Sequence, residues 1–180
     1  MKKFLLLIIA LAVLAGSYYW KKAPSKPAAD PTSTTVGAGF EPDSSSATFE
    51  IDGEKVTLSG GHGSSAGTDG IATETEILDE KAFGDLNGDS KSDSVILLAR
   101  SGGGSGVFVY AAAFVSGTLG YKGTEVIFLG DRIAPQSVSI SNGVATVKFL
   151  DRKEGEAFAA EPTVPVSKQF VYKNGEFREK

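Results

Sequence analysis

The stretch "SVSISNGVATVKFL", residues 137–150, indicates the fold class, because its alternating pattern recurs along much of the remaining chain. Apolar and polar side chains alternate along both halves, and Asn142-Gly143 stands between them. A period of two is typical of a strand with one buried face, and Asn-Gly favours a tight turn between antiparallel strands. The stretch therefore predicts a β-hairpin with apolar positions at Val138, Ile140, Val144, Val147 and Phe149.

The same pattern recurs on both sides of this hairpin. "TFEIDGEKVTL", residues 48–58, turns at Asp52-Gly53, and "KQFVYKNGEF", residues 168–177, turns at Asn174-Gly175. Between them, "SVILLA", "GVFVYAAAFV" and "EVIFLG" are apolar enough for central strands, and "ATETEILDEKAF" is also interpreted as a strand. Residues 48–180 are thus predicted to form an all-β domain, an antiparallel meander or sandwich of hairpins, preceded by one N-terminal hydrophobic helix.

The N-terminal segment indicates where the domain resides. "MKKFLLLIIALAVLAGSYYWKK", residues 1–22, has two lysines on each side of an uncharged run. This pattern predicts a single membrane anchor, or alternatively a signal peptide that is cleaved near the small residues Ala15 and Ser17. Both alternatives place the β domain on the extracytoplasmic side, either held at the cell membrane or secreted. Residues 23–47, rich in Pro, Ser and Thr, are predicted to be a disordered tether.

Charge and composition argue against several functions. Without the four lysines of the leader, 14 basic side chains face 22 acidic ones, a net charge of about −8. Nucleic-acid binding is therefore not expected, because it relies on basic patches. The chain has no cysteine, which excludes disulfides and thiolate metal sites, and its single histidine argues against most histidine-based metal sites.

The stretch "FGDLNGDSKSD", residues 83–93, concentrates acidic and amide side chains just before an apolar strand. Alternate residues of a curling loop direct their oxygens at one centre, and a hard cation such as Ca²⁺ takes six to eight oxygens. An ordinary turn capped by Asn and Asp side chains is the alternative. An EF-hand is excluded, because Ile96 stands where a bidentate glutamate is required. The predicted metal ligands are Asp85, Asn87, Asp89 and Asp93 through their side chains, and Lys91 through its backbone carbonyl.

These residues resemble the calcium loop of FG-GAP repeats, found in integrin α-subunits and many secreted bacterial proteins. The family pattern is D-x-[DN]-x-D-G-x-x-D followed by an apolar strand, and the resemblance implies a weak calcium site. Ser90 departs from it, since it occupies the glycine position where a positive φ is often needed. More widely, residues 48–172 resemble a group of uncharacterised secreted or membrane-anchored bacterial proteins, which implies a compartment but no reaction.

Three further motifs contain residue types that also occur in catalytic sites. "GGHGSSAG", residues 60–67, matches G-x-S-x-G formally, but it predicts a flexible loop, since a nucleophile elbow needs a following helix and a distant histidine. "RSGGGSGVF", residues 100–108, lacks the end of a P-loop and predicts a mobile hairpin loop or, alternatively, a ligand-facing one. Several charged residues are either paired carboxylates for acid–base work on a sugar or solvated salt bridges: Asp131, Arg132, Asp151, Arg152 and Glu154.

Together these features predict a non-catalytic, membrane-tethered extracytoplasmic β domain with a calcium-binding loop. It would act as a binding or structural module of the bacterial envelope, with a protein or glycan ligand. The alternative is a carboxylate-dependent envelope hydrolase, which requires Asp131 and Asp151 to converge in a pocket.

Overall fold

The computed structural model describes residues 40–66 and 71–180, and every regular element in these ranges is a β-strand. The predicted all-β antiparallel fold is confirmed for them. Nothing helical within these ranges is long and apolar enough to cross a membrane. The predicted N-terminal helix, residues 1–22, and most of the predicted tether lie outside the described residues.

Twelve strands form in the described part of the chain. The first six are β1 (Thr48–Ile51), β2 (Glu54–Thr57), β3 (His62–Ala66), β4 (Ala72–Gly84), β5 (Asp93–Gly102) and β6 (Phe108–Gly117). The others are β7 (Gly120–Gly123), β8 (Ile127–Asp131), β9 (Ala134–Ser141), β10 (Val144–Asp151), β11 (Val164–Lys173) and β12 (Glu176–Glu179).

The three predicted hairpins form β1–β2, β9–β10 and β11–β12. Both central residues of each turn have positive φ, as a type I′ turn requires: Asp52 and Gly53 at 52° and 80°, Asn142 and Gly143 at 51° and 72°, Asn174 and Gly175 at 55° and 86°. Asn, Asp and Gly tolerate this conformation best, so local sterics alone specify these turns.

The strands pair into two meanders and one separate hairpin. One sheet has the order β12-β11-β10-β9, and the other has β3-β4-β5-β6-β7 with β8 also paired to β6. β5 and β6 are central strands, as predicted. The prediction that "EVIFLG" is central is wrong, because one side of β6 is shared between two short strands: residues 114–117 pair with β7 and residues 108–111 with β8.

The six-stranded sheet is covered on both faces. Its first face packs on the four-stranded sheet, and the buried side chains there include Val95, Leu97, Val109, Ala111, Val147, Phe149 and Phe170. Its second face packs under the β1–β2 hairpin, with Phe49, Ile51, Val56, Leu58, Ile96, Leu98 and Tyr110. Burial on two faces explains why β5 and β6 are apolar almost throughout. Of the positions predicted on β10, Val144 lies outside this core and Ala145 takes its place.

Residues 62–66 and 72–83, whose sequences show no clear strand pattern, both form strands. Residues 72–83 belong to β4, and the Ile77-Leu78 pair stands at a register shift, with Ile77 packed against the second-face core and Leu78 against the first. The prediction of a flexible loop is wrong for His62–Ala66, which forms β3 and pairs with β4. Gly63 allows this, because a Cβ there would lie 2.9 Å from Cγ1 of Val56.

Packing against the domain begins before Thr48. Ser44 and Ala47 are buried, and the Ala47 carbonyl accepts a hydrogen bond of 2.9 Å from the Leu58 amide. The Ser45 carbonyl accepts another, of 2.8 Å, from Gly61. These contacts join the residues just before β1 to the far end of the first hairpin.

Candidate functional site

The acidic loop, residues 85–93, connects β4 to β5, whose facing ends pair through Gly84 and Asp93. Two of its residues have positive φ, Gly88 at 81° and Ser90 at 65°. The sequence comparison with calcium loops raised this conformation for Ser90, where the family has glycine. A non-glycine residue in the left-handed region costs roughly 1–2 kcal/mol, so the loop forms against a local steric penalty.

Asp85 organises the first half of the loop. Its Oδ1 accepts a hydrogen bond of 2.7 Å from the Gly88 amide, and its Oδ2 accepts one of 2.8 Å from the Ser90 amide. Wrapping backbone amides around a carboxylate satisfies donors that the tight curl would otherwise leave unpaired. Each carboxylate oxygen has two lone pairs, so both Asp85 oxygens retain capacity for a second partner.

Asp93 is the buried anchor of the loop. It is completely inaccessible to solvent, and its Oδ2 accepts a hydrogen bond of 2.8 Å from the Leu86 amide. Its Oδ1 accepts two more from Ser116 at the end of β6, 2.8 Å from the amide and 2.9 Å from the hydroxyl. A buried polar group is costly unless hydrogen bonds replace those of water, and these three do so.

Ser116 brings the second half of the loop together. Its Oγ lies 2.7 Å from Oδ2 of Asp89 as well as 2.9 Å from Oδ1 of Asp93. The Asn87 side-chain amide donates to the Ser116 carbonyl at 2.9 Å. Ser116 was not among the predicted ligands, and its one sequence signal is a polar residue ending the apolar run of β6.

Lys91 supplies a hydrogen bond and a nearby charge. Its amide donates to Oδ1 of Asp89 at 2.9 Å, and its Nζ lies 3.7 Å from Oδ2 of the same residue. The hydrogen bond from Ser116, followed by that from the Lys91 amide, lowers the pKa of Asp89 below its usual value. Asp89 is therefore ionised at neutral pH, as a metal ligand must be.

The predicted ligand set is thus brought together in part. Asn87, Asp89 and Asp93 all contact Ser116, while Asp85 contacts amides within the loop. Within residues 40–66 and 71–180, no group of three or more His, Cys, Asp or Glu side chains is arranged to hold a metal ion. Oγ of Ser116 lies within hydrogen-bond distance of both Oδ2 of Asp89 and Oδ1 of Asp93.

The carboxylates considered for hydrolysis are engaged in the framework. Asp131 accepts hydrogen bonds from the Val107 amide at 2.9 Å and from two nitrogens of Arg132 at 3.0 and 2.8 Å. The Arg132 hydrogen bond is the main cause that lowers the pKa of Asp131, which disfavours it as a general acid. Oδ1 of Asp151 accepts from the Arg152 amide at 2.7 Å.

Arg152 links the β8–β9 connection to the β10–β11 connection. Its guanidinium donates to the backbone carbonyls of Asp131, Arg132 and Ala160 at 3.2, 2.9 and 2.7 Å. Two of the open clefts on the described surface are considered below, and neither of these two is lined by Asp131 or Asp151. This arrangement favours a structural role for these charged residues.

Comparison with known proteins adds no further constraint. No protein-family model, curated protein or solved structure matches the chain. The likeness of the acidic loop to FG-GAP loops therefore rests on its own residues, and function has to be argued from the geometry described above.

Proposed function

We propose that this protein is a non-catalytic, membrane-tethered extracytoplasmic module of the bacterial envelope, and that its acidic loop binds calcium. The observation that carries the proposal is the meeting of Asp89, Ser116 and Asp93. Oγ of Ser116 lies 2.7 Å from Oδ2 of Asp89 and 2.9 Å from Oδ1 of Asp93. The Ser116 hydroxyl provides the one proton that these three oxygens share.

One hydroxyl hydrogen cannot satisfy two carboxylates fully. The Ser116 hydroxyl donates one complete hydrogen bond, so the other oxygen–oxygen approach lacks a proton. A cation relieves this shortage. Ligand oxygens that each lie about 2.3–2.6 Å from one calcium ion are about 3 Å apart, close to the spacing found here.

The curl of the acidic loop is held by hydrogen bonds within the loop, which supports the proposal of a cation site there. The Asp85 carboxylate holds the Gly88 and Ser90 amides, which fixes the bend without using all of its lone pairs. Binding is expected to be weak, with Kd of about 10⁻⁴–10⁻³ M, because few carboxylates converge and Ser90 is strained.

The tethered, extracytoplasmic setting comes from the sequence. The leader in residues 1–22 and the proline-rich segment that follows support a domain held outside the membrane or secreted after cleavage. Calcium is commonly plentiful outside cells, where a weak site is still filled and adds stability according to the ligand excess. A calcium-stiffened β domain suits recognition of a protein or glycan.

Calorimetric titration of the full-length protein with calcium chloride tests this function. Heat of binding and a raised Tm are expected at millimolar calcium, and Asp89→Asn is expected to abolish both. Asp79→Asn is the matched control, because it removes the same charge from an exposed position of β4 outside the loop. Absence of both heat and thermal shift in the wild-type protein would refute the metal site.

A further inference from the structure

Two clefts meet at the turn of the first hairpin. One, of about 330 Å³, is lined by Asp52, Thr73, Arg100, Ser101, Gly102, Phe108 and Tyr110. The other, of about 440 Å³, is lined by Asp52, Tyr110, Glu125, Val126, Ile127, Phe128, Phe177, Arg178 and Glu179. Asp52 and Tyr110 belong to both, so we treat the pair as one surface, the aromatic groove. Each cleft lies within the size range of small-molecule sites.

The groove exists because the β1–β2 hairpin covers only part of the sheet face beneath it. The hairpin ends at Asp52-Gly53, where the Tyr110 hydroxyl donates to Oδ2 of Asp52 at 3.0 Å. Beyond that point Phe108 and Phe128 remain 41% and 50% exposed. Large apolar side chains that stay exposed beside polar ones are typical of recognition surfaces.

The aromatic rings of the groove form a connected cluster. Phe128 lies opposite Tyr110 in the β6–β8 pairing, with ring centroids 5.5 Å apart, and its ring centroid is 6.2 Å from that of Phe108. Phe108 and Tyr110 are two positions apart on β6, so their side chains point to the same face of the sheet. Within the cluster Tyr110 is buried, while Phe108 and Phe128 remain partly exposed.

The strand residues on either side of the glycine-rich connection, residues 103–107, line the first cleft. Arg100, Gly102 and Phe108, all from "RSGGGSGVF", line the first cleft. A Cβ on Gly106 would lie 2.9 Å from Cζ of Phe108, so a larger side chain there would displace the end of the ring. Residues 103–107 are not among those that line the cleft, so both alternatives for this loop stay predictions.

Polar groups of the groove are fixed and nearly balanced in charge. Arg100, whose side chain is only 13% exposed, pairs with Glu54 and lies 3.6 Å from Asp52. Glu179 is paired with Lys168 at 3.0 Å. Together with Glu125 and Arg178, the charged residues of the groove and their ion-pair partners are four acidic and three basic side chains: Asp52, Glu54, Glu125 and Glu179, and Arg100, Lys168 and Arg178.

This combination identifies a class of ligand. Strongly charged ligands gain little from a nearly neutral rim, whereas a polyhydroxylated ring can donate to carboxylates and accept from guanidinium groups at once. Its C–H faces pack on aromatic rings, which a peptide backbone or a nucleotide phosphate does not require. We propose that the aromatic groove binds a neutral oligosaccharide, with Phe108 and Phe128 as stacking residues and Asp52 and Arg100 as hydrogen-bonding partners.

The inference rests on the proposed role as a recognition module, but it does not rest on the calcium loop. Asp93 in the loop and Arg100 in the groove lie at opposite ends of β5, seven residues or about 23 Å apart. Each site can therefore be removed without touching the other.

Binding of cellotetraose, chitotetraose and mannotetraose to the full-length protein tests the groove, by calorimetry and by saturation-transfer NMR. At least one is expected to bind at millimolar concentration, with transfer from aromatic protons to sugar C–H groups. Phe128→Ala and Phe108→Ala are each expected to weaken binding about tenfold or more. Phe40→Ala is the matched control, since Phe40 is an exposed phenylalanine that packs on Tyr121 instead.

The remaining outcomes separate this inference from the proposed function. Failure of all three sugars to bind, or binding that survives both groove substitutions, overturns the inference. Binding of tetralysine or tetragalacturonate in place of the neutral sugars does so as well. Because calcium binding is measured separately, a protein that binds calcium and no sugar keeps the proposed metal site and loses the groove.

Discussion

Ser116 and Asp93, 23 positions apart in the chain, are joined by two hydrogen bonds that end on the same carboxylate oxygen. The backbone amide and the hydroxyl of Ser116 both donate to Oδ1 of Asp93, at 2.8 and 2.9 Å. This pair fastens the acidic loop to the end of β6. It also places a polar cluster at one end of β5 and β6. The rest of the core that these two strands form is apolar.

Replacing Ser116 with alanine is expected to lower the free energy of unfolding by about 1–3 kcal/mol, because Asp89 and Asp93 lose their shared hydroxyl. Urea denaturation without calcium measures the change. Ser139→Ala, at an exposed position of β9, is the control and is expected to stay within about 0.5 kcal/mol of wild type. Equal stability of Ser116→Ala and wild type would show that the hydroxyl does not hold the loop.

Ser90→Gly is expected to stabilise the protein by about 0.5–1 kcal/mol and to tighten calcium binding. Ser90 has a φ of 65°, and glycine removes the steric penalty of that conformation while adding some backbone entropy to the unfolded chain. Calorimetry and urea denaturation measure the two effects. Ser92→Gly is the control, since Ser92 is not among the residues of positive φ and gains nothing from the change. A destabilised Ser90→Gly protein would contradict this account.

Stability should fall in acid partly through Asp89. The folded-state pKa of this carboxyl is lowered, so its contribution is present above the unfolded value near 3.9. That contribution is lost as pH falls through the lower folded-state pKa. Urea midpoints measured between neutral pH and about pH 2 should show a shallower acid decline in Asp89→Asn than in wild type. An unchanged slope would mean that Asp89 gains no such stabilisation from Ser116.

Gly123→Ala is expected to lower the free energy of unfolding by about 3 kcal/mol or more, because it separates the first hairpin from the sheet. A Cβ at this position would lie 2.2 Å from the Thr48 carbonyl oxygen and 2.8 Å from the Phe49 ring, and a backbone atom cannot move aside cheaply. Thermal and urea unfolding measure the loss. Gly104→Ala, whose nearest neighbour would be 4.0 Å away, is the control and should change stability little. A mild effect at Gly123 would mean that the hairpin shifts easily on the sheet.

The hairpin turns, the buried strand faces and the central strands β5 and β6 follow from the amino-acid sequence alone. Asp52-Gly53, Asn142-Gly143 and Asn174-Gly175 specify turns with positive φ, since that preference belongs to the residues themselves. Alternating side chains fix which face of a strand is buried, and continuous apolar runs mark β5 and β6 as central. The left-handed conformation at Ser90 was foreseeable only through the resemblance to calcium loops, whose pattern has glycine at that position.

Contacts between residues that are far apart along the chain depend on the tertiary structure. Ser116 joins the acidic loop because β6 pairs with β5, and no local pattern reports the end of a strand that lies 29 residues from Asn87. β8 lies at an edge because β7 occupies the other half of the same strand. The aromatic groove exists because the first hairpin ends at Asp52, short of Phe108. Turn preferences are set by neighbouring atoms along the chain, whereas a site is set by which strands pair and by what each layer leaves uncovered.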